Sequence, residues 1–182
     1  MGIHADRTNS ALLVIDVQVD VMSDTHERDE VVARIVSLVD RAREKDVPVL
    51  WIQHNDAELP RSSPGWDLVE ELEPRPDERR IHKSYNDAFE ETSLDSDLVE
   101  VGVGRLIVVG ARTEWCVRAT LHGAIARGYD ALLVSDAHTT GDMSEEIPAS
   151  SIIEMTNTYW RWHSVPRRTA GIATSSEIRF DV

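Results

Sequence analysis

The 182-residue chain has one cysteine, Cys116, two lysines, Lys45 and Lys83, and two phenylalanines. A single thiol excludes an intrachain disulfide framework and a zinc site built on several thiolates. No apolar run approaches the roughly 18 residues that a membrane-spanning helix needs. Met1 to Ser10 holds no basic patch leading into an apolar stretch, so the sequence predicts no secretory leader and a cytoplasmic protein. Basic residues are scarce as well. Lys and Arg total 19 against 33 Asp and Glu, a formal charge of −14. Phosphate backbones repel such a chain, which predicts neither a nucleic-acid partner nor docking on an anionic membrane. Solubility, or adaptation to salt, is the simplest meaning of this acidity. A glycine-rich phosphate loop is also missing: Asp16-Val17-Gln18-Val19-Asp20 follows the first apolar run and would repel a phosphate.

What is present is an alternation. Hydrophobic residues make up 41% of the chain, enough for the core of a single domain spanning 1–182. Short apolar runs with no polar face (11–15, 47–53, 106–109, 131–134) predict strands buried on both sides. Helical spacing predicts helices over 27–45 and 115–127, and over 148–160 with Ile152, Met155 and Tyr159 inward. Thr92-Ser93-Leu94-Asp95 has the form of a capping box opening a further helix. Residues 80–83 read as a short strand and the tail to Val182 as a short strand or arm. The stretch 55–77 carries four of the seven prolines and reads as a surface excursion with a short helix over 66–72. The pattern predicts an α/β fold: a Rossmann-like parallel sheet with helices on both faces.

In such sheets ligands bind outside the carboxyl ends of the strands. That rule singles out Asp16, the end of the second strand at Gln53-His54, Lys83, the turn after Gly110, and Asp136-Ala137-His138. A carboxylate, an ammonium and a thiol at one edge form a coherent set of acid/base, cation and nucleophile. A helix N-terminus and a nearby ammonium would both lower the thiol pKa of Cys116. Each residue also has a plain structural reading: Asp16 as a loop cap, Lys83 as a solvated tether, Cys116 as core filler.

Three blocks, Leu12-Leu13-Val14-Ile15-Asp16-Val17-Gln18, Lys83-Ser84-Tyr85-Asn86-Asp87-Ala88-Phe89, and Val108-Val109-Gly110-Ala111-Arg112-Thr113-Glu114-Trp115-Cys116-Val117, resemble the signature segments of the isochorismatase-like cysteine hydrolases. The resemblance runs from about Ala11 to Trp160. It implies an Asp16–Lys83–Cys116 triad that cleaves a C–N bond of an amide, carbamoyl or lactam through an acyl-enzyme. It also implies a cis peptide at Ala111–Arg112, with the amides of Arg112 and Cys116 facing the oxyanion. Gln18, His54, Trp66, Tyr85, Phe89, Trp115 and His138 are the candidate substrate contacts. Arg112 either points out of the pocket or reads a substrate carboxylate. Relatives acting on nicotinamide use Asp and His metal ligands after the second strand. Gln53-His54-Asn55-Asp56 supplies one imidazole and one carboxylate there, so neither a metal nor any other cofactor is expected. Relatives assemble, and a homodimer or homotetramer is expected, with Tyr159-Trp160-Arg161-Trp162 as a contact surface. The alternatives are isochorismatase-type vinyl-ether hydrolysis, which needs no thiol, and a non-catalytic ligand-binding or thiol-sensing protein.

Overall fold

The computed structural model describes residues 7–180; the expectations for the start at Met1 and the end at Val182 extend to residues outside that range. The described strands are β1 (Asn9–Ile15), β2 (Val49–His54), β3 (Arg79–Lys83), β4 (Val103–Ala111), β5 (Asp130–Thr139) and β6 (Ala170–Ala173). They form one sheet in the order β3-β2-β1-β4-β5-β6, with every neighbouring pair parallel. The apolar runs are continuous because both faces are covered. On one face Leu12, Val14, Trp51, Ile107 and Val109 pack against Val32, Ile35 and Val39 of helix α2 (Arg28–Glu44). α1 (Val19–Met22) is a single turn preceding it. On the other face Leu13, Ile15, Ile52, Ile81 and Val108 meet α3 (Leu94–Glu100), α4 (Arg118–Arg127) and Trp160 of α5 (Ala149–Trp162). Among the described residues no helix is long and apolar enough to cross a membrane.

The strand order reverses between β1 and β4, which opens a crevice at their carboxyl ends. Two backbone features shape it. Gly110 has φ of +117°, and a Cβ there would lie 2.0 Å from the Ile15 carbonyl oxygen, so only glycine lets β4 pass β1 at this point. Asp16 has φ of 49°. Leu13 and Ile15 face the α3–α4 side, so regular alternation would send Asp16 to the α2 side. The left-handed turn breaks that alternation at the strand exit.

Four local expectations are corrected. The capping box at Thr92 does not form. Thr92 Oγ1 instead accepts the Leu94 amide (3.2 Å) and donates to the Ala88 carbonyl (2.6 Å). Residues 66–72 form no helix, because Val17, Gln18 and Val19 pair with 67–69 as a short antiparallel contact that holds the segment extended. Cys116 does not sit in the first turn of an α-helix. It lies in a π-helical turn, Thr113–Val117, that feeds α4, with the amides of Trp115 and Val117 both reaching the Arg112 carbonyl. On α5 the inward stripe is Ala149, Ile152, Thr156 and Trp160, whereas Met155 and Tyr159 are exposed. The helix seats the large indole of Trp160 against the sheet, where its Nε1 donates to the Ala131 carbonyl at 3.1 Å. That choice turns the neighbouring apolar stripe outward.

Candidate active site

Asp16 leaves β1, Lys83 ends β3 and Cys116 follows β4, and the sheet order brings all three to one crevice. Lys83 Nζ lies 2.7 Å from Asp16 Oδ2 and 3.1 Å from Cys116 Sγ. Asp16 and Lys83 are each only 1% exposed, and the thiol is buried as well. Burial alone would lower the Lys83 pKa. The Asp16 carboxylate and the sulfur overcome it, and the net direction is upward. The ammonium is therefore held charged inside the protein, as a buried cation requires paired acceptors.

The electrostatics of the thiol run against the expectation of a low pKa. Burial pushes Cys116 up to about 12, the Asp16 carboxylate adds to that rise, and Lys83 opposes both. At neutral pH the sulfur keeps its proton, and the weak contact it donates to Asn86 Oδ1 at 3.9 Å fits a thiol. Activation of such a sulfur requires a base at hand rather than a standing thiolate. Asp16 places a carboxylate oxygen within 4.8 Å of the sulfur; among the described residues neither of its oxygens has a hydrogen-bond partner, Oδ2 being engaged by the ion pair with Lys83.

The remaining candidates divide. His54 stands beside the cluster, its Nδ1 3.3 Å from Lys83 Nζ. Among the described residues the Gln18 side chain bonds backbone groups rather than Asp16. Its Nε2 donates to the carbonyls of His54 (3.0 Å) and Trp66 (2.9 Å), and its Oε1 accepts the His54 amide (2.8 Å). It is a backbone clamp with its capacity largely spent. The Trp66 ring leans on His82 at 5.2 Å. Tyr85 and Trp115 are exposed; Trp115 adjoins Cys116 in the chain and Tyr85 follows Lys83 by two positions. Phe89 is no pocket wall: it is buried against Tyr129 (5.7 Å) with the Arg127 guanidinium 4.8 Å over its ring. His138 is buried, with both ring nitrogens engaged by the protein. Its Nε2 bonds Asn157 Oδ1 (3.0 Å) and its Nδ1 bonds Thr113 Oγ1 (2.8 Å). Burial lowers its pKa to about 4, which makes it a neutral stitch between β5, the π-turn and α5. The Ala111–Arg112 bond is cis. The Arg112 guanidinium pairs with Asp24 at the surface, which leaves it engaged by the protein itself. Asn86, inside the Lys83–Phe89 block, was not singled out by the sequence, and Asp56 was weighed there only as a metal ligand.

Asp16, His54 and Cys116 offer three metal-ligand atoms within 4.8 Å of one another. Lys83 Nζ contacts all three residues, so a divalent cation there would sit against an ammonium. His54 and Asp56, the imidazole and carboxylate at the end of β2, bond each other at 3.0 Å. Neither set suits a metal.

Fold and site define a class: an α/β protein that gathers a thiol, an ammonium and a carboxylate at the switch point of a parallel sheet. Residues 10–159 match the isochorismatase domain model, and the chain belongs to the isochorismatase family. It is 37% identical over 160 residues to a streptothricin hydrolase of Streptomyces noursei, a match covering 80% of this chain and 63% of that relative, so the chain spans less than two thirds of that protein's length. It is 29% identical to a ureidoacrylate amidohydrolase of Methylobacterium radiotolerans, over 89% of this chain and 78% of that one. A crystal structure of an isochorismatase family protein superimposes with a TM-score of 0.83 at 29% identity, covering 92% of this chain and 99% of the other.

Proposed function

We propose that the protein is a cysteine hydrolase that cleaves a non-peptide C–N bond of a small molecule and needs no cofactor. The observation that carries this reading is the buried Lys83 ammonium bridging Asp16 and Cys116. The names of two relatives, a hydrolase and an amidohydrolase, support it.

The chemistry follows from the geometry. When a carbonyl carbon arrives, the Cys116 thiol passes its proton to Asp16 as sulfur attacks. Lys83 offsets the negative charge before and after that transfer. The amides of Arg112 and Cys116 are assigned to the oxygen that becomes negative. Asp16 then protonates the leaving nitrogen, the C–N bond breaks, and a thioester remains. Water attacks the thioester and gives its proton to Asp16. The C–S bond breaks, sulfur takes that proton back, and the acid departs. Tyr85 and Trp115 are the proposed ligand contacts.

The test is turnover of a panel of small amides, N-carbamoyl compounds and lactams by the unmodified chain, Cys116→Ala and Cys116→Ser. Loss in both variants is expected. Retention in both would move the protein to thiol-independent chemistry such as vinyl-ether hydrolysis. We also propose assembly as a homodimer or homotetramer through the exposed face of α5, where Met155, Tyr159 and Trp162 recur at helical spacing.

A further inference from the structure

A lysine ammonium has three N–H donors and no acceptor. Buried as Lys83 is, each donor needs a protein partner. Asp16 Oδ2 at 2.7 Å and Cys116 Sγ at 3.1 Å take two of them. The third faces His54 Nδ1 at 3.3 Å. Whether that nitrogen can accept is settled by the other side of the ring. His54 Nε2 lies 3.0 Å from Asp56 Oδ2, a carboxylate oxygen that can only accept. The ring proton is therefore on Nε2, and the Nδ1 lone pair is free for the ammonium.

The imidazole is held in place from every side. Gln18 takes the His54 carbonyl and amide together, which fixes the end of β2. Asp56 is fixed in turn by the amides of Glu58 (2.9 Å) and Leu59 (2.8 Å), both on its Oδ1. This leaves Oδ2 for the ring, and the bond to His54 is the first cause of the lowered Asp56 pKa. Gln18, Asp56 and the 56–59 turn thus converge on one nitrogen atom aimed at Lys83.

We propose that His54 is a positioning residue for the reaction: by accepting the third Lys83 proton it fixes the ammonium's rotation, so that the other two N–H groups point at Asp16 and Cys116. The role rests on the cysteine-hydrolase reading but is measured without it. Without the acceptor, a buried N–H is left unpaired and the ammonium turns toward whatever acceptor remains. Its hold on the sulfur anion then weakens, and the thiolate fraction falls at any given pH. The charged and titratable groups facing the ring are Lys83, Asp56, Asp16 and Cys116.

The experiment compares His54→Asn with His54→Leu, side chains of similar size of which only the first carries an acceptor, its Oδ1, close to the place of Nδ1. The readout is the rate of Cys116 alkylation by iodoacetamide at pH 9, which follows the thiolate fraction. His54→Leu is expected to be slower than His54→Asn by about tenfold, the equivalent of one pKa unit, and kcat on any turned-over amide is expected to fall in the same order with KM less affected. Equal rates in the two variants, fast or slow, would overturn the proposal. If His54→Leu does not fold, His54→Ala with and without added imidazole gives the same contrast; no gain in alkylation with imidazole would also overturn it. The expected alkylation order in a protein inert toward every amide would sink the hydrolase reading and leave standing only that His54 orients the Lys83 ammonium toward the sulfur.

Discussion

Asp16 and Lys83 pull the Cys116 thiol in opposite directions, and burial decides the contest in favour of the protonated form. This ordering separates reactivity from catalysis. Replacing Asp16 with Asn removes a carboxylate that raises the thiol pKa, so alkylation by iodoacetamide at pH 9 is expected to speed up. Hydrolysis, deprived of its base, is expected to fall by about 100-fold or more. Slower alkylation of Asp16→Asn would contradict the electrostatic account. Gly110→Ala places a methyl group on the Ile15 carbonyl at a positive φ and is expected to cost more than about 2 kcal/mol, read as a fall in the urea midpoint; an unchanged midpoint would count against that contact. The three site residues were legible in the sequence because Asp16 directly follows an apolar run, Lys83 ends a short strand and Cys116 lies in the turn after another, and strand ends converge in a parallel sheet. The raised thiol pKa was not. A helix terminus and a lysine both argue for thiolate, and burial, joined by the Asp16 carboxylate, reverses the sign. The roles of Gln18 and Asp56 also depend on contacts between segments that no spacing encodes.

At the scale of elements, α5 and the π-turn carry most of the lesson. Apolar residues on α5 form two adjacent stripes, and periodicity alone cannot choose between them. The sheet chooses Trp160, whose indole finds both a carbonyl and a core. Trp160→Ala is expected to cost about 3–5 kcal/mol, measured by chemical denaturation; a cost near zero would mean that this face is not packed. His138 ties α5 and the π-turn to β5 as a neutral imidazole. Its pKa is depressed to about 4 in the folded chain against an ordinary value of about 6.5. The unfolded chain therefore binds a proton in that window that the folded chain does not. The contribution of His138 is complete above about pH 6.5 and is lost as pH falls toward 4. His138→Gln is expected to flatten the dependence of melting temperature on pH between those limits, and an equal slope in both proteins would contradict it. The capping box at Thr92 failed because its hydroxyl accepts the Leu94 amide instead of that of Asp95.

For the whole molecule, the alternation of buried runs and amphipathic stretches was enough for a parallel α/β sheet with helices on both faces. The order of the strands was not readable, because β1 lies against β4 through 94 intervening positions, and what licenses that pairing is a single glycine opposite Ile15. The excursion over 55–77 was equally opaque. Its backbone is held by Gln18 and Gln53, both on the Trp66 carbonyl, rather than by any periodicity of its own. Tyr159 and Trp162 remain 70% and 78% exposed, and the proposed assembly would cover them. Light scattering is expected to report a dimer or larger for the unmodified chain and a shift toward the 20.5 kDa monomer for Tyr159→Asp and Trp162→Asp. A 20.5 kDa species for the unmodified chain would refute the assembly. Intact-mass spectrometry of the protein quenched during incubation with a small amide is the sharpest test of whether Cys116 is the nucleophile. The account predicts the mass of one acyl group on Cys116, absent from Cys116→Ala along with turnover; full turnover by Cys116→Ala with no adduct on the unmodified chain would contradict it.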